Sequence, residues 1–255
     1  MCFGRGVTVP DLLLLLVTGI AAGIVSTVAS LASVVSYPVL LSLGLPPLSA
    51  NVTNTVGLLP GTVGGLLGYA DALSEQRQRA ARLAIPSLMG AAAGTVLLLL
   101  TPGNTFEAIV PALVALSSLL LLFQPQIAAR RSHTRQNHAT LAVGLTLSGM
   151  YAAYFGSAVG IFVTVLLTLF VPEDVHRLNA LKILLVGLMN LLPAVAYVFL
   201  AHVNAEYAAE LMVSSLAGGR AGAFLARRMP SDVLRVAIAC TGLVLAVVFA
   251  MRAFG

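Results

Sequence analysis

The sequence predicts an all-α, polytopic integral membrane protein, and three observations carry that prediction. Of 255 residues, 59% are hydrophobic and 9% charged, with a mean hydropathy of +0.99, so water is not the main solvent of this chain. Uncharged runs long enough for a span of about 20 residues recur from one end to the other. None of them alternates as a barrel strand does, and backbone amides in lipid must bond within their own segment, which leaves helices.

Taken in order, the start MCFGRGVTVPD has one arginine and no small-residue cleavage site in register, so it reads as a retained first span. Residues 11–43 are too long for one comfortable span, too short for two, and broken at Ala29 to Ser33, which marks a hairpin. Further uncharged runs lie before Asp71, between Arg82 and Glu107, and between Glu107 and Arg130. After a basic loop, residues 139–170 repeat the awkward length of 11–43, with FGSAVG (Phe155 to Gly160) as the break. The apolar segment 178–202 and runs reaching Arg252 complete the chain. Cys2 and Cys240 have no spacing that supports a metal site or a disulfide framework.

The chain also repeats itself. A shift of 128 positions places Ser87, Gly90 and Gly94 on Ser215, Gly218 and Gly222, Asn51 on Asn179 and Asn54 on Lys182; a shift of 126 takes Gly23 to Gly149 and Pro46 to Pro172. The halves thus differ by two residues in one loop. Loop charge orients them: Arg77, Arg79 and Arg82, then Arg130, Arg131 and Arg135, then Arg227 and Arg228 mark three cytoplasmic loops, while the connections near Pro102 and Asn204 lack Lys and Arg and lie outside. Segments 139–170 and 178–202 must together cross an odd number of times, so one is a hairpin. The expected architecture is two inverted-topology repeats, each a broken or re-entrant helical hairpin plus three transmembrane helices. Residues 1–127 form the first membrane repeat, 128–138 a basic cytoplasmic loop and 139–255 the second repeat, with both termini outside. Broken helices at membrane depth line cavities, and that cavity is the expected site.

Lys182 is the single lysine of the chain, and it enters a run without another charge before Glu206. Asn179, Lys182, Val186 and Asn190 share one helix face, and the first half supplies a neutral copy in Asn51, Asn54, Leu58 and Thr62. Facing stripes of this kind offer one positive charge with amide and hydroxyl donors, the equipment for an oxyanion. The N-terminal ends of the broken half-helices add to it, and Tyr151 and Tyr154 stand just before the second break. Bland roles stay open: Lys182 snorkelling to the cytoplasmic interface, Asn51 and Asn54 capping a helix, Asn190 bridging two helices, and the paired glycines serving close packing.

No Asp or Glu falls at the midplane, which disfavours a cation pump relaying protons through acids; proton coupling would run on the substrate itself or through Lys182. The histidines have no metal-ligand spacing, the arginines form no nucleic-acid stripe, and no catalytic triad or phosphate loop is present, so neither a metal, a cofactor, nucleic acid nor an enzymatic reaction is expected.

These residues resemble a family. GIAAGIVSTVASLASVVSYPVLLSLGLPPLSANVTNTVGLLPG (19–61) is similar to the first repeat of the TauE/SafE sulfite exporter family. LSGMYAAYFGSAVGIFVTVLL and HRLNALKILLVGLMN are similar to its second, with GGRAGAFLARRMP in the same style, so the likeness covers nearly the whole chain. It implies a secondary transporter that exports or exchanges sulfite or small organosulfonate anions across a bacterial inner membrane. It also implies substrate contacts at the break-adjacent stretches and Asn-rich helix starts, here Asn51, Asn54, Asn179 and Lys182. The family's first break is usually glycine-rich, whereas this chain reads ASLAS, which puts Ser30 and Ser33 hydroxyls in place of a backbone cradle. An anion channel of the same architecture is the alternative. The substrate's identity, the transport direction, the coupling ion and whether the chain forms a homo-oligomer are not legible in the sequence.

Overall fold

The computed structural model describes residues 9–29, 32–67, 69–129 and 137–225. Among these the chain is all-helical, with ten α-helices and no strand. The first half contributes α1 (Val9–Ala29), α2 (Ala32–Ser42), α3 (Pro47–Leu67), the single turn α4 (Ala70–Ser74), α5 (Arg77–Leu100) and α6 (Gly103–Ala129). The second contributes α7 (His138–Tyr154), α8 (Val159–Phe170), α9 (Val175–Leu200) and α10 (Ala205–Leu225). The last apolar run, after Arg235, lies outside the described residues.

Local chemistry sets the boundaries. Pro47 opens α3 where its missing N–H is no loss. Asn137 caps α7 by accepting from the Thr140 amide, and the Asp174 carboxylate caps α9 by accepting from the amides of His176 and Arg177 at 2.9 and 3.0 Å. Between α7 and α8 the chain takes two left-handed residues, Gly156 at φ 75° and Ala158 at φ 63°, which no helix can continue through.

α7 and α8 therefore form a hairpin with a long arm and a short one, and α1 packs against the shorter α2. The 17 residues of α7 reach about 25 Å and the 12 of α8 about 18 Å, so α8 begins at depth rather than at a surface. α7 runs from His138, beside Arg79 and Arg82, to Tyr154, whose hydroxyl donates to Thr101 at the opposite end of the bundle. α8 then returns to Glu173, beside Arg79 again. This hairpin thus enters from and returns to the arginine-rich end.

α1 and α7 each pack on a helix of the other half. α7 lies on α5, where a β carbon on Gly90 or Gly94 would collide with the carbonyls of Thr146 or Met150; α1 lies on α10, where one on Gly218 or Gly222 would collide with Ile20 or Ile24. Conversely, Gly149 of α7 rests on the Ser87 carbonyl and Gly23 of α1 on that of Ser215. Small residues here let backbones approach closely, the usual source of helix attraction in lipid.

α1, α5 and α9 have the length and hydropathy to cross a membrane. The outward surface is apolar: Phe199 is 80% exposed, Leu100 75% and Val213 72%, a surface suited to lipid chains. α3 is the exception, with Asn51, Thr53, Asn54 and Thr55 all turned into the protein. Around these residues the fold encloses a cavity.

Candidate functional site

The cavity lies between α3 and α9 and is closed by the end of α1, the start of α2 and the break between α7 and α8. Its volume is about 60 Å³, room for a small ion rather than a nucleotide or lipid. α3 presents Asn54, Leu58 and Thr62; α9 presents Lys182, Val186 and Asn190. These are the two stripes that the 128-residue shift superimposes, and they line one cavity together. Ala32 and Ser33, in the first turn of α2, and Val159, the first residue of α8, also line it, with Gly156. Two helix N-termini therefore meet the same small volume. That of α8 carries no side-chain cap, and such ends present free N–H groups and positive dipole poles.

Lys182 is 7% exposed and, among the described residues, has no ion-pair or hydrogen-bond partner. It lines the cavity instead of snorkelling out. An ammonium in such a place costs about 2.5–3.5 kcal/mol on insertion scales, a cost that persists where the charge has a use. No Asp, Glu, His or Arg among the described residues joins it in the lining, and none of them forms a metal-binding group of three.

The neutral groups are held in place. Asn54, 2% exposed, accepts from the Ser36 hydroxyl and donates to Ser33 Oγ at 3.0 Å. Asn190 donates to its own helix at the Val186 carbonyl, 2.8 Å, and turns its Oδ1 toward Gly156. A β carbon at Gly156 would stand 3.6 Å from that oxygen.

Of the expected site residues, Lys182, Asn190, Asn54, Thr62 and Ser33 line the cavity. Asn51 and Asn179 share the faces of their stripes but do not line it. Asn51, 1% exposed, donates to the Tyr154 carbonyl at 3.0 Å, tying α3 to the end of α7; Asn179 is half-buried, nearer the arginine-rich end. Tyr151 packs its ring against Phe162, 5.5 Å between centroids, and Tyr154 faces Thr101 and Phe106, so neither hydroxyl belongs to the cavity lining. Ser30 lies outside the described residues. Sequence reasoning missed Ser26 and Thr27 of α1 and Thr55 of α3. The signal for the first two was present, since Ser26, Thr27, Ser30 and Ser33 follow one another at helical spacing into the break.

At the arginine-rich end a second constellation joins the halves. Arg79 pairs with Glu173, and Arg177 pairs with Glu75 at 2.6 Å, Glu173 at 3.2 Å and Asp174 at 3.4 Å. Buried Gln76 adds a bond to the Arg177 carbonyl at 3.3 Å. The hydrogen bond from Arg79 holds the Glu173 carboxyl below its ordinary range, and backbone donors, Arg177 N–H first, do the same for Asp174.

Comparison with known proteins adds three findings. The family model described as sulfite exporter TauE/SafE matches residues 15–249. A Sinorhizobium sp. protein named probable membrane transporter protein ORF9 is 28% identical over 149 residues, which span 58% of this chain and 57% of that relative. No solved structure matches.

Proposed function

Since the chain belongs to the sulfite exporter TauE/SafE family and is a membrane transporter, we propose that it exports or exchanges small sulfur-containing oxyanions, such as sulfite or an organosulfonate, across a bacterial inner membrane by alternating access. The observation that carries this reading is the Lys182 ammonium, unpaired among the described residues, in a cavity formed jointly by both stripes and both half-helix N-termini. An oxyanion there meets an ammonium, hydroxyls and helix N-termini, with no carboxylate among the described lining residues to repel it.

The same reading takes the halves as inverted copies, with the arginine-rich end in the cytoplasm and both termini outside. Its support is the exchange of packing partners: α1 on α10 and α7 on α5, through glycines and carbonyls that the repeat relates. Rocking one half against the other about the cavity would open it to either side.

The test is flux in proteoliposomes with sulfite, thiosulfate, sulfoacetate, sulfate and chloride, comparing the wild type with Lys182→Met. A charged hydrogen bond contributes about 1.5–3 kcal/mol, so the substitution is expected to weaken anion handling by about ten- to hundredfold. Transport by Lys182→Met equal to wild type would remove the lysine from the site. Accumulation against a gradient is expected; passive flux at channel rates would replace the transporter with a channel.

A further inference from the structure

Among the described residues, the cavity lining takes its net charge from one atom, Lys182 Nζ. The N-termini of α2 and α8 supply directed N–H groups and positive poles, but a helix dipole has its opposite pole at its other end and adds no net charge. Among the described residues, the other charged groups are placed elsewhere: Arg79, Glu173 and Arg177 are committed to the ion-pair cluster, and Arg220 is exposed on α10. The volume of about 60 Å³ leaves an ion little room for a shell of its own water.

In such a place the net charge of the occupied site decides the cost of keeping it buried, because an uncompensated charge away from water is expensive and a neutral pair far less so. Resting on the reading of this cavity as the transport site, we propose that it selects anions carrying a single negative charge, so that the loaded carrier is neutral as it reorients, and that it rejects dianions of similar shape. One monoanion cancels the ammonium. A dianion leaves a negative charge to be carried through the protein, and a neutral solute leaves the ammonium bare.

Two probes whose charge does not change near neutral pH separate the cases. Methanesulfonate carries one charge and sulfate two, and both present oxygens on a tetrahedral sulfur, three and four of them, to the same donors. In proteoliposomes of the full chain, methanesulfonate exchange is expected to exceed sulfate exchange by at least about tenfold, since a neutral loaded site avoids most of the burial penalty. Methanesulfonate self-exchange is further expected not to respond to an imposed membrane potential. Sulfate moving as fast as methanesulfonate, or self-exchange that follows the potential, overturns the single-charge rule and leaves the transporter standing. Absence of flux for sulfite and both probes overturns both. Lys182→Met is expected to lose the preference and Lys182→Arg to keep it at a reduced rate; a preference that survives in Lys182→Met also overturns the rule.

Discussion

At the scale of single residues, the feature of Lys182 is that no carboxylate among the described residues lines the cavity with it. A buried ammonium is ordinarily matched by a carboxylate, and here the stripe facing it supplies Asn54 at the position the repeat relates to Lys182. Replacing Asn54 with Asp is nearly isosteric and would give the ammonium an internal partner. Asn54→Asp is expected to lower anion flux by about ten- to hundredfold while leaving melting in detergent close to wild type; unchanged flux would mean that the cavity's charge balance does not govern transport. The faces of the two stripes were legible in the sequence, because helical spacing fixes angle. Depth was not. Asn51 and Asn179 lie on the faces they were expected to share, yet the cavity extends only over 54–65 of α3 and 182–190 of α9. Tyr151 and Tyr154 illustrate the same limit: closeness in sequence to the break says nothing of which arm partner each ring meets, and Phe162 and Phe106 take them.

At the scale of helices, the second break sits where FGSAVG predicts it, at Gly156 and Ala158, while the middle of the first, Ser30 and Leu31, lies outside the described residues. The paired glycines were readable as packing residues, but only the fold tells which helix each one meets. The ion-pair cluster was not readable, since Arg79 and Glu173 are far apart in sequence and are brought together by the return of α8. Its pH dependence has a definite sign. Because the native Glu173 carboxyl titrates below its ordinary value of 4.5, its contribution to stability is fully present above that value and is lost as pH falls through the lower native one. Melting of the wild type should therefore drop on acidification in that range by more than that of Glu173→Gln. The neutral-pH cost of this substitution is of the order of 1 kcal/mol or less, as for other partly exposed pairs. Parallel acid profiles of the two proteins would remove Glu173 from the clasp.

For the whole molecule, membrane residence follows from composition, and the apolar outer surface agrees with it. The chain belongs to the TauE/SafE family, and the cavity between the two stripes is where the proposed transport would take place. The central claim is that this cavity, between the two halves, holds the anion and opens in turn to each side. Labelling tests it most directly. With Cys2 and Cys240 replaced by Ser, a Thr62→Cys chain in oriented vesicles is treated from either side with a small anionic methanethiosulfonate, with and without sulfite. The account predicts reaction from both sides and protection by sulfite in each case. A cysteine that is inert from both sides, or labelled at the same rate with sulfite present, would contradict it.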